Sequence, residues 1–544
     1  MEELEPNKKF ISWPVLALMD FVTVIGFDDL AYNFQSQGMG VITSWVIMLF
    51  LYVIPYSLMV GQLGSVFNKE GGGLTSWIRG TNGEFLGYFT AWTYWAASIP
   101  YVVDTANSLV VGLGWTFNGN AGLQNRMSNG WFAFWTLVIF VVFIFTQSRF
   151  KHSLEILSTI GGVAIFGLTI LFVIMTFAGL AMGGHIATQP FTIHTIIPKF
   201  NLHYLTTLGL LIYAMNGAEL IAPFVTKLRH PKSDFPKAMI MLAAMTAFLT
   251  IFGSFSLGVF FNAYHLPKDL KMNGAYYAFQ ALGNQYHLGN TLLYMYSLAE
   301  VFYLAALLAV LLDAMTRMLI SDTGNKYMPQ VLKKTNAAGL PVNGYLLTCG
   351  LSAFIMSLGI FLPSMNDIFN WLLNLNGIIS PGVTCWVFFA FIKIRQDSQK
   401  YQSDYVFIKN DKAALSVGWW CLIVTAVATI FGIGPQDVVF ASSTWWYELI
   451  INFVSIIVLI GLGLILPYVT RREERSTTGS AFTRWQWVGV LAAIILTIVG
   501  DLYLGGSSYT NKIMAIVVLS IVGILLVMAF GWKEFNLKVK VEED

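Results

Sequence analysis

Six carboxylic acids stand inside otherwise apolar stretches of the sequence: Asp20, Asp28, Asp29, Asp104, Glu219 and Glu300. No Lys or Arg accompanies them at comparable depth; Lys227 and Arg317 fall near the ends of their stretches. An unpaired carboxylate at the centre of a bilayer costs at least about 2.5 kcal/mol, so it holds a proton, faces water or meets a cation. The chain supplies no cation there, which leaves protons and the ammonium of a bound molecule as partners. Asp20, Asp28, Asp104, Glu219 and Glu300 are therefore candidates for binding or carrying a proton, Glu219 first among them. Structural readings stand beside these: Asp28 and Asp29 can cap a half-helix, and Asp104, followed by Thr105 and Asn107, can be hydrogen-bonded within its own span.

Glu219 and the two aspartates stand in matching surroundings. Gly26 to Ala31 reads Gly-Phe-Asp-Asp-Leu-Ala, and Gly217 to Ala222 reads Gly-Ala-Glu-Leu-Ile-Ala. Both are Gly-x-acid-x-aliphatic-Ala, set 191 residues apart. Where a membrane helix unwinds at such a glycine, backbone N–H and C=O groups are freed that lipid cannot satisfy. A bound carboxylate or ammonium can satisfy them, and the start of the second half-helix favours an anion.

The elements that must position these residues are membrane helices. Of 544 residues, 56% are hydrophobic and 11% charged, where a soluble protein carries about 25% charged residues. Mean hydropathy is +0.65. This composition excludes a soluble multidomain enzyme, and a net charge of +2 gives no field directed at nucleic acid. The chain reads as an all-α integral membrane protein. A span needs roughly 20 apolar residues, and fourteen stretches qualify: 12–34, 41–66, 85–114, 131–148, 154–182, 204–226, 237–262, 289–319, 343–363, 367–393, 414–433, 447–468, 485–504 and 513–531.

With the N-terminus inside, 26 of the 31 Lys and Arg fall on inner segments. The other five, Arg126, Lys199, Lys268, Lys271 and Lys512, fall on outer loops. This bias predicts a multi-pass protein of the cell membrane with both termini cytoplasmic. The acidic opening Met-Glu-Glu-Leu-Glu-Pro lacks the pattern of a signal peptide. The absence of any N-x-[ST] sequon fits a bacterial protein.

Span one sets out from inside and span six from outside. Five-span blocks at 12–182 and 204–394 would then be inverted repeats. A tail at 1–11 precedes them; spans eleven and twelve at 414–468, two more at 485–531 and a tail at 532–544 follow. That is the layout of secondary transporters whose first and sixth helices unwind at mid-membrane.

Other chemistry is thin. Cys349, Cys385 and Cys421 fall in apolar runs without metal-ligand spacing or the pattern of a disulfide framework. His185, His194, His203, His265 and His287 lie on the predicted outer side as loop residues, and helical i, i+4 histidine spacing is absent, so no zinc site is expected. Trp92, Trp95, Tyr101 and Trp371 read as packing and interface anchors. Neither a nucleotide-binding Gly-x-x-x-x-Gly-Lys-[ST] motif nor a clustered nucleophile is present, so ATP-driven pumping and catalysis are not expected.

Three stretches carry a family resemblance. They are Glu70-Gly-Gly-Gly-Leu-Thr-Ser-Trp77; Asn216-Gly-Ala-Glu219 with Pro231-Lys-Ser-Asp-Phe-Pro236; and Asp313-Ala-Met-Thr-Arg317 with Met328-Pro-Gln-Val-Leu-Lys-Lys and Leu340-Pro341. On these, residues 12–394 resemble the amino acid–polyamine–organocation (APC) superfamily of transporters, most closely its glutamate/GABA antiporter group. The resemblance implies a LeuT-like five-plus-five inverted-repeat fold, here with four additional C-terminal spans, and alternating access. It also implies that the backbone of Thr23, Val24, Ile25 and Gly26, and of Ala214, Met215, Asn216 and Gly217, meets the substrate's carboxylate and amine, with Glu219 beside them. The sequence departs from the family in having Thr23-Val-Ile-Gly26 in place of Gly-x-Gly, and Thr159 where some proton-coupled relatives carry a lysine.

The expected activity is secondary transport of amino acids, by exchange with another amino acid or an amine. Proton-coupled symport is the alternative within that class, and a non-transporting membrane sensor the alternative outside it. The expected partners are a small amino acid or amine and the lipid bilayer, with no nucleic acid, no metal and no cofactor.

Overall fold

A computed structural model describes residues 11–474, apart from 25, 68–72, 220–221, 323–326, 336–340, 404 and 437. The predicted spans at 485–504 and 513–531 and both tails beyond 11 and 474 lie outside the described residues. The first half of the chain forms α1 (Trp13–Val24), α2 (Phe27–Gln37), α3 (Val41–Met48), α4 (Ile54–Val66), α5 (Leu74–Asn82), α6 (Glu84–Asn118), α7 (Leu123–Arg126) and α8 (Asn129–Ala181). Then follow α9 (Leu202–Tyr213), α10 (Pro231–Phe260), α11 (Leu270–Gln285), α12 (Thr291–Asp322) and α13 (Gln330–Lys333). The last four are α14 (Val342–Gly359), α15 (Met365–Gln396), α16 (Asp411–Gly432) and α17 (Ser443–Glu474).

Among the described residues, nine helices are long and apolar enough to cross a membrane. Leu202–Tyr213 is a shorter apolar helix, and Asn129–Phe143 is an apolar stretch at the start of α8. Each of the first twelve predicted spans carries helix. Exposed apolar side chains such as Phe50, Ile160, Ile174, Phe248, Ile430 and Ile457 give the bundle a hydrocarbon exterior, as lipid contact requires.

The helices start where polar side chains can take up free N–H groups. Ser128 accepts from Trp131 N at 3.5 Å, Asn201 from Tyr204 N at 2.9 Å, Ser364 from Asp367 N at 3.2 Å and Asn410 from Ala413 N at 3.2 Å. Such a cap is worth about 1 kcal/mol. Between α3 and α4 the chain passes through a π-helical turn, Leu49–Val53. Pro55 lacks the N–H that would bond the carbonyl of Leu51. Trp420 of α16 supplies a donor instead, at 3.0 Å.

Hydrogen bonds from buried aromatic residues tie the helices together. Trp45 Nε1 donates to Ser254 Oγ at 2.9 Å, joining α3 to α10. Trp371 Nε1 donates to Asn452 Oδ1 at 2.9 Å, joining α15 to α17. Tyr88 and Trp92 of α6 donate to the carbonyls of Gly463 and Leu459 in α17, each at 2.7 Å. α9 and α15 meet backbone to backbone: a Cβ on Gly209 would lie 2.2 Å from the Gly377 carbonyl oxygen. That carbonyl precedes Pro381 by four residues, so helix α15 leaves it without its usual donor.

Two elements differ from the sequence reading. α8 runs on through 149–153, where a connection between spans four and five is predicted. Arg149-Phe-Lys-His-Ser153 holds neither Pro nor Gly, so nothing in it stops a helix. The outer connection after span seven contains α11, whose Leu270, Ala275, Ala278, Phe279 and Leu282 are buried. These apolar residues recur at helical spacing, but interleaved polar residues keep the segment from reading as a span.

Candidate functional site

The first predicted span is two helices. α1 ends at Val24, and Gly26 is extended, with φ −111° and ψ 173°, before α2 begins at Phe27. Asp29 takes up the loose end: its Oδ2 accepts from Gly26 N at 2.8 Å, and its carbonyl accepts from Asn33 Nδ2 at 2.9 Å. Asp29 is thus a cap. Asp28, its neighbour, is not turned to the same use. Its carboxyl lies beside Glu300 of α12 and the Tyr32 side chain.

Glu300 also lies beside Tyr276 on α11 and Tyr296 on α12. It is 3% exposed, and its Oε2 has no hydrogen-bond partner. Asp104 of α6 is 4% exposed, carries an Oδ1 equally without a partner, and lies within electrostatic reach of Asp28 and Asp29. The expected bond from Asp104 to its own span is not among its contacts; Thr105 instead donates to Tyr101 O and Asn107 accepts from Thr136. Phenols close over this cluster. Tyr32 packs with Leu210 and Leu373 and against Tyr213, and Tyr213 meets Tyr101 edge to face at 6.3 Å.

The sixth predicted span is broken as well. α9 ends at Tyr213, and the chain unwinds through Ala214, Met215 and Asn216. Gly217 has φ +123°, a conformation that an L side chain rarely adopts. A short 3-10 turn, Ala222–Lys227, follows. This break is clamped from two sides. Tyr52 donates to Asn216 Oδ1 at 2.8 Å, and Asn216 Nδ2 donates to Thr384 Oγ1 of α15 at 2.8 Å. Gly217 N donates to the Tyr56 oxygen at 3.1 Å, and the Tyr56 hydroxyl donates to Glu219 Oε2. The two tyrosine rings stack at 5.6 Å, with Phe388 edge-on to both.

Of the residues singled out in the sequence, Gly26 lies at the first break and Ala214, Met215, Asn216, Gly217 and Glu219 at the second. Asp20, Thr23 and Val24 lie on α1, their side chains beyond what the structure describes, and Ile25 is outside the described residues. Asp28, Asp104 and Glu300 come together; Glu219 stands apart from them, at the second break. Tyr52 and Tyr56 were not anticipated. Their i, i+4 spacing across Pro55 is a usable signal, since it puts both hydroxyls on one helix face. Among the described residues no three His, Cys, Asp or Glu side chains are grouped to hold a metal ion.

Residues 11–460 match the family model described as amino acid permease. The chain belongs to that family, within the APC superfamily. The aspartate/glutamate permease of Lactococcus lactis is 38% identical over 477 residues, spanning 87% of this permease and 98% of that protein. An inner membrane transporter of Escherichia coli is 25% identical over 474 residues, covering 79% of this chain and 91% of its own. A glutamate/gamma-aminobutyrate antiporter of Lactococcus lactis is 24% identical over 304 residues, 54% of this chain and 57% of its own. The permease is thus a multi-pass membrane transporter of the amino acid class with bacterial relatives.

Proposed function

We propose that this permease is a secondary active transporter that moves amino acids across the cell membrane by alternating access, exchanging one substrate for another. One observation carries the reading: two helices lose their winding inside the apolar part of the bundle, at Gly26 and at Ala214–Gly217. Unwound backbone in such surroundings is sustained only where it lines a cavity or is otherwise paired. The main chain of Thr23 to Gly26 and of Ala214 to Gly217 holds the substrate's carboxylate and amine. The two breaks stand at equivalent places in a LeuT-like five-plus-five repeat whose termini are cytoplasmic. The name of the Lactococcus lactis permease makes amino acids with acidic side chains the first substrates to try, and the antiporter relative supports exchange.

Proton-coupled symport is the second reading, and the neighbouring carboxyls of Asp28 and Glu300 favour it. The deciding experiment is counterflow. Purified protein in liposomes preloaded with each of the twenty amino acids or a biogenic amine is given the same compound, labelled, outside at pH 5 and pH 7. Rapid labelling with at least one compound is expected, aspartate or glutamate first. Saturable binding in detergent with no counterflow for any compound would make the protein a sensor.

A further inference from the structure

We infer that Asn376 of α15 and Asp104 of α6 form a subsite for a substrate side chain ending in a primary carboxamide. Asparagine and glutamine are then carried beside the acidic amino acids. The inference rests on the transport reading and extends its substrate class. Both polar atoms of the Asn376 carboxamide, Oδ1 and Nδ2, are buried without a hydrogen-bond partner, and so is Oδ1 of Asp104. The residues are 1% and 4% exposed. Buried amides and carboxyls are nearly always paired, so these orphaned atoms point to a bound group.

Helix geometry brings the two residues to one level. Trp386 Nε1 of α15 donates to Thr93 Oγ1 of α6 at 3.1 Å. Tyr401, beyond the end of α15, donates to the Gly80 carbonyl, ahead of α6, so the two helices run antiparallel. From the Trp386–Thr93 bond, Asn376 is ten residues back along α15 and Asp104 eleven residues on along α6. Those are rises of about 15 and 16 Å. Eleven residues make three turns, so Asp104 shares with Thr93 the face of α6 turned to α15. Asn376 lies two turns from Phe369 and two from Val383, on one face with both. Phe369 meets Phe132 of α8, and Val383 borders a cleft with Phe89 and Thr93 of α6, so this face of α15 looks towards α6. Asn374, also without partners, stands on the other side of α15 and takes no part.

This level is also that of the second break. Tyr101, a turn before Asp104, meets Tyr213, the last residue of α9 before the chain unwinds. Thr384, two turns along α15 from Asn376, holds Asn216. A substrate whose carboxylate and amine rest on the unwound main chain has its side chain beside α6 and α15.

The orphaned atoms define what fits. Asp104 Oδ1 and Asn376 Oδ1 need donors, and Asn376 Nδ2 needs an acceptor. A carboxamide supplies both kinds, its N–H groups to the oxygens and its C=O to the nitrogen. A side-chain carboxylate can accept from Asn376 Nδ2 alone and faces a second carboxyl. An aliphatic side chain leaves all three atoms unpaired, and a site built to hydrogen-bond rejects such an analogue strongly.

Purified protein in detergent is heated with L-glutamine, L-asparagine, L-glutamate, L-aspartate or L-leucine, and the same compounds, labelled, are tested for counterflow in liposomes. Glutamine or asparagine should raise the melting temperature at concentrations within about threefold of those the acidic pair needs, and should show counterflow. Leucine, similar in size, should be at least about tenfold weaker. In Asn376→Leu the preference for glutamine over leucine should fall at least about tenfold, with the melting transition of the ligand-free variant reporting its fold. In Asp104→Asn an N–H donor becomes available to a carboxylate, and the affinity ratio of glutamate to glutamine should rise at least about threefold. Wild-type counterflow of aspartate or glutamate with neither binding nor counterflow of asparagine and glutamine would overturn the inference and leave transport standing. Either variant with the wild-type ratio would do the same. Absence of counterflow for every compound in wild-type protein would overturn both.

Discussion

Glu219 is engaged by a phenol rather than by a positive charge, and that decides what its substitution does. Tyr56 serves two groups at once, donating to the carboxyl and accepting from Gly217 N–H. Removing its hydroxyl in Tyr56→Phe leaves both unpaired in a buried setting, at a cost of about 1–3 kcal/mol for each. Transport by this variant should fall at least tenfold with the folded protein still recovered. Glu219→Gln keeps an oxygen for Tyr56 to donate to, so it should express normally and also transport at least tenfold more slowly. Initial rates of uptake normalised to protein in the membrane check both; a wild-type rate in either removes the clamp from the transport cycle. Asp20→Asn is a separate case: if Asp20 carries a proton, its loss flattens the pH profile of uptake, and an unchanged profile clears it of that role.

The broken elements were legible because their cause is local. A glycine followed two residues later by an acid, inside an apolar run, marks both breaks, and Asp29 caps the first within three residues of Gly26. What holds the second break was not legible. Tyr52 reaches Asn216 from 164 residues away, and Asn216 reaches Thr384 across another 168. No window of sequence contains such a pair. α11 was hidden for a related reason, since its burial comes from packing on α12 and α2. The glycine of the second break also sets a test. At φ +123°, Gly217→Ala should strain the backbone by about 1–3 kcal/mol. Reduced melting temperature in detergent and slower counterflow are expected together. Gly209→Val is harsher, because its side chain would run into the Gly377 carbonyl; loss of monodisperse protein on size exclusion is the expected result.

For the whole molecule, composition fixed the membrane class, and the helical assignment followed from runs of apolar residues long enough to cross lipid. Orientation rests on the distribution of Lys and Arg and can be measured directly. His194 lies in a predicted outer loop and Gln399 in a predicted inner one, and both are exposed. The native Cys421 is buried, and Cys349 and Cys385 are half-buried. In a background where the native cysteines are replaced, His194→Cys should react in intact cells with a membrane-impermeant maleimide. Gln399→Cys should react only after the cells are opened. The reverse pattern would invert the topology and with it the side from which each half-helix is reached.

Tyr32, Leu210, Leu373 and Tyr213 pack together near the acids, and Tyr101 meets Tyr213, so rings and hydrocarbon stand on that side of them. Anything arriving from that direction must shed its hydration before it can sense a single carboxyl. Discrimination would thus begin with how readily a molecule gives up water, and large aromatic analogues able to wedge between the rings should jam the passage without being carried through it.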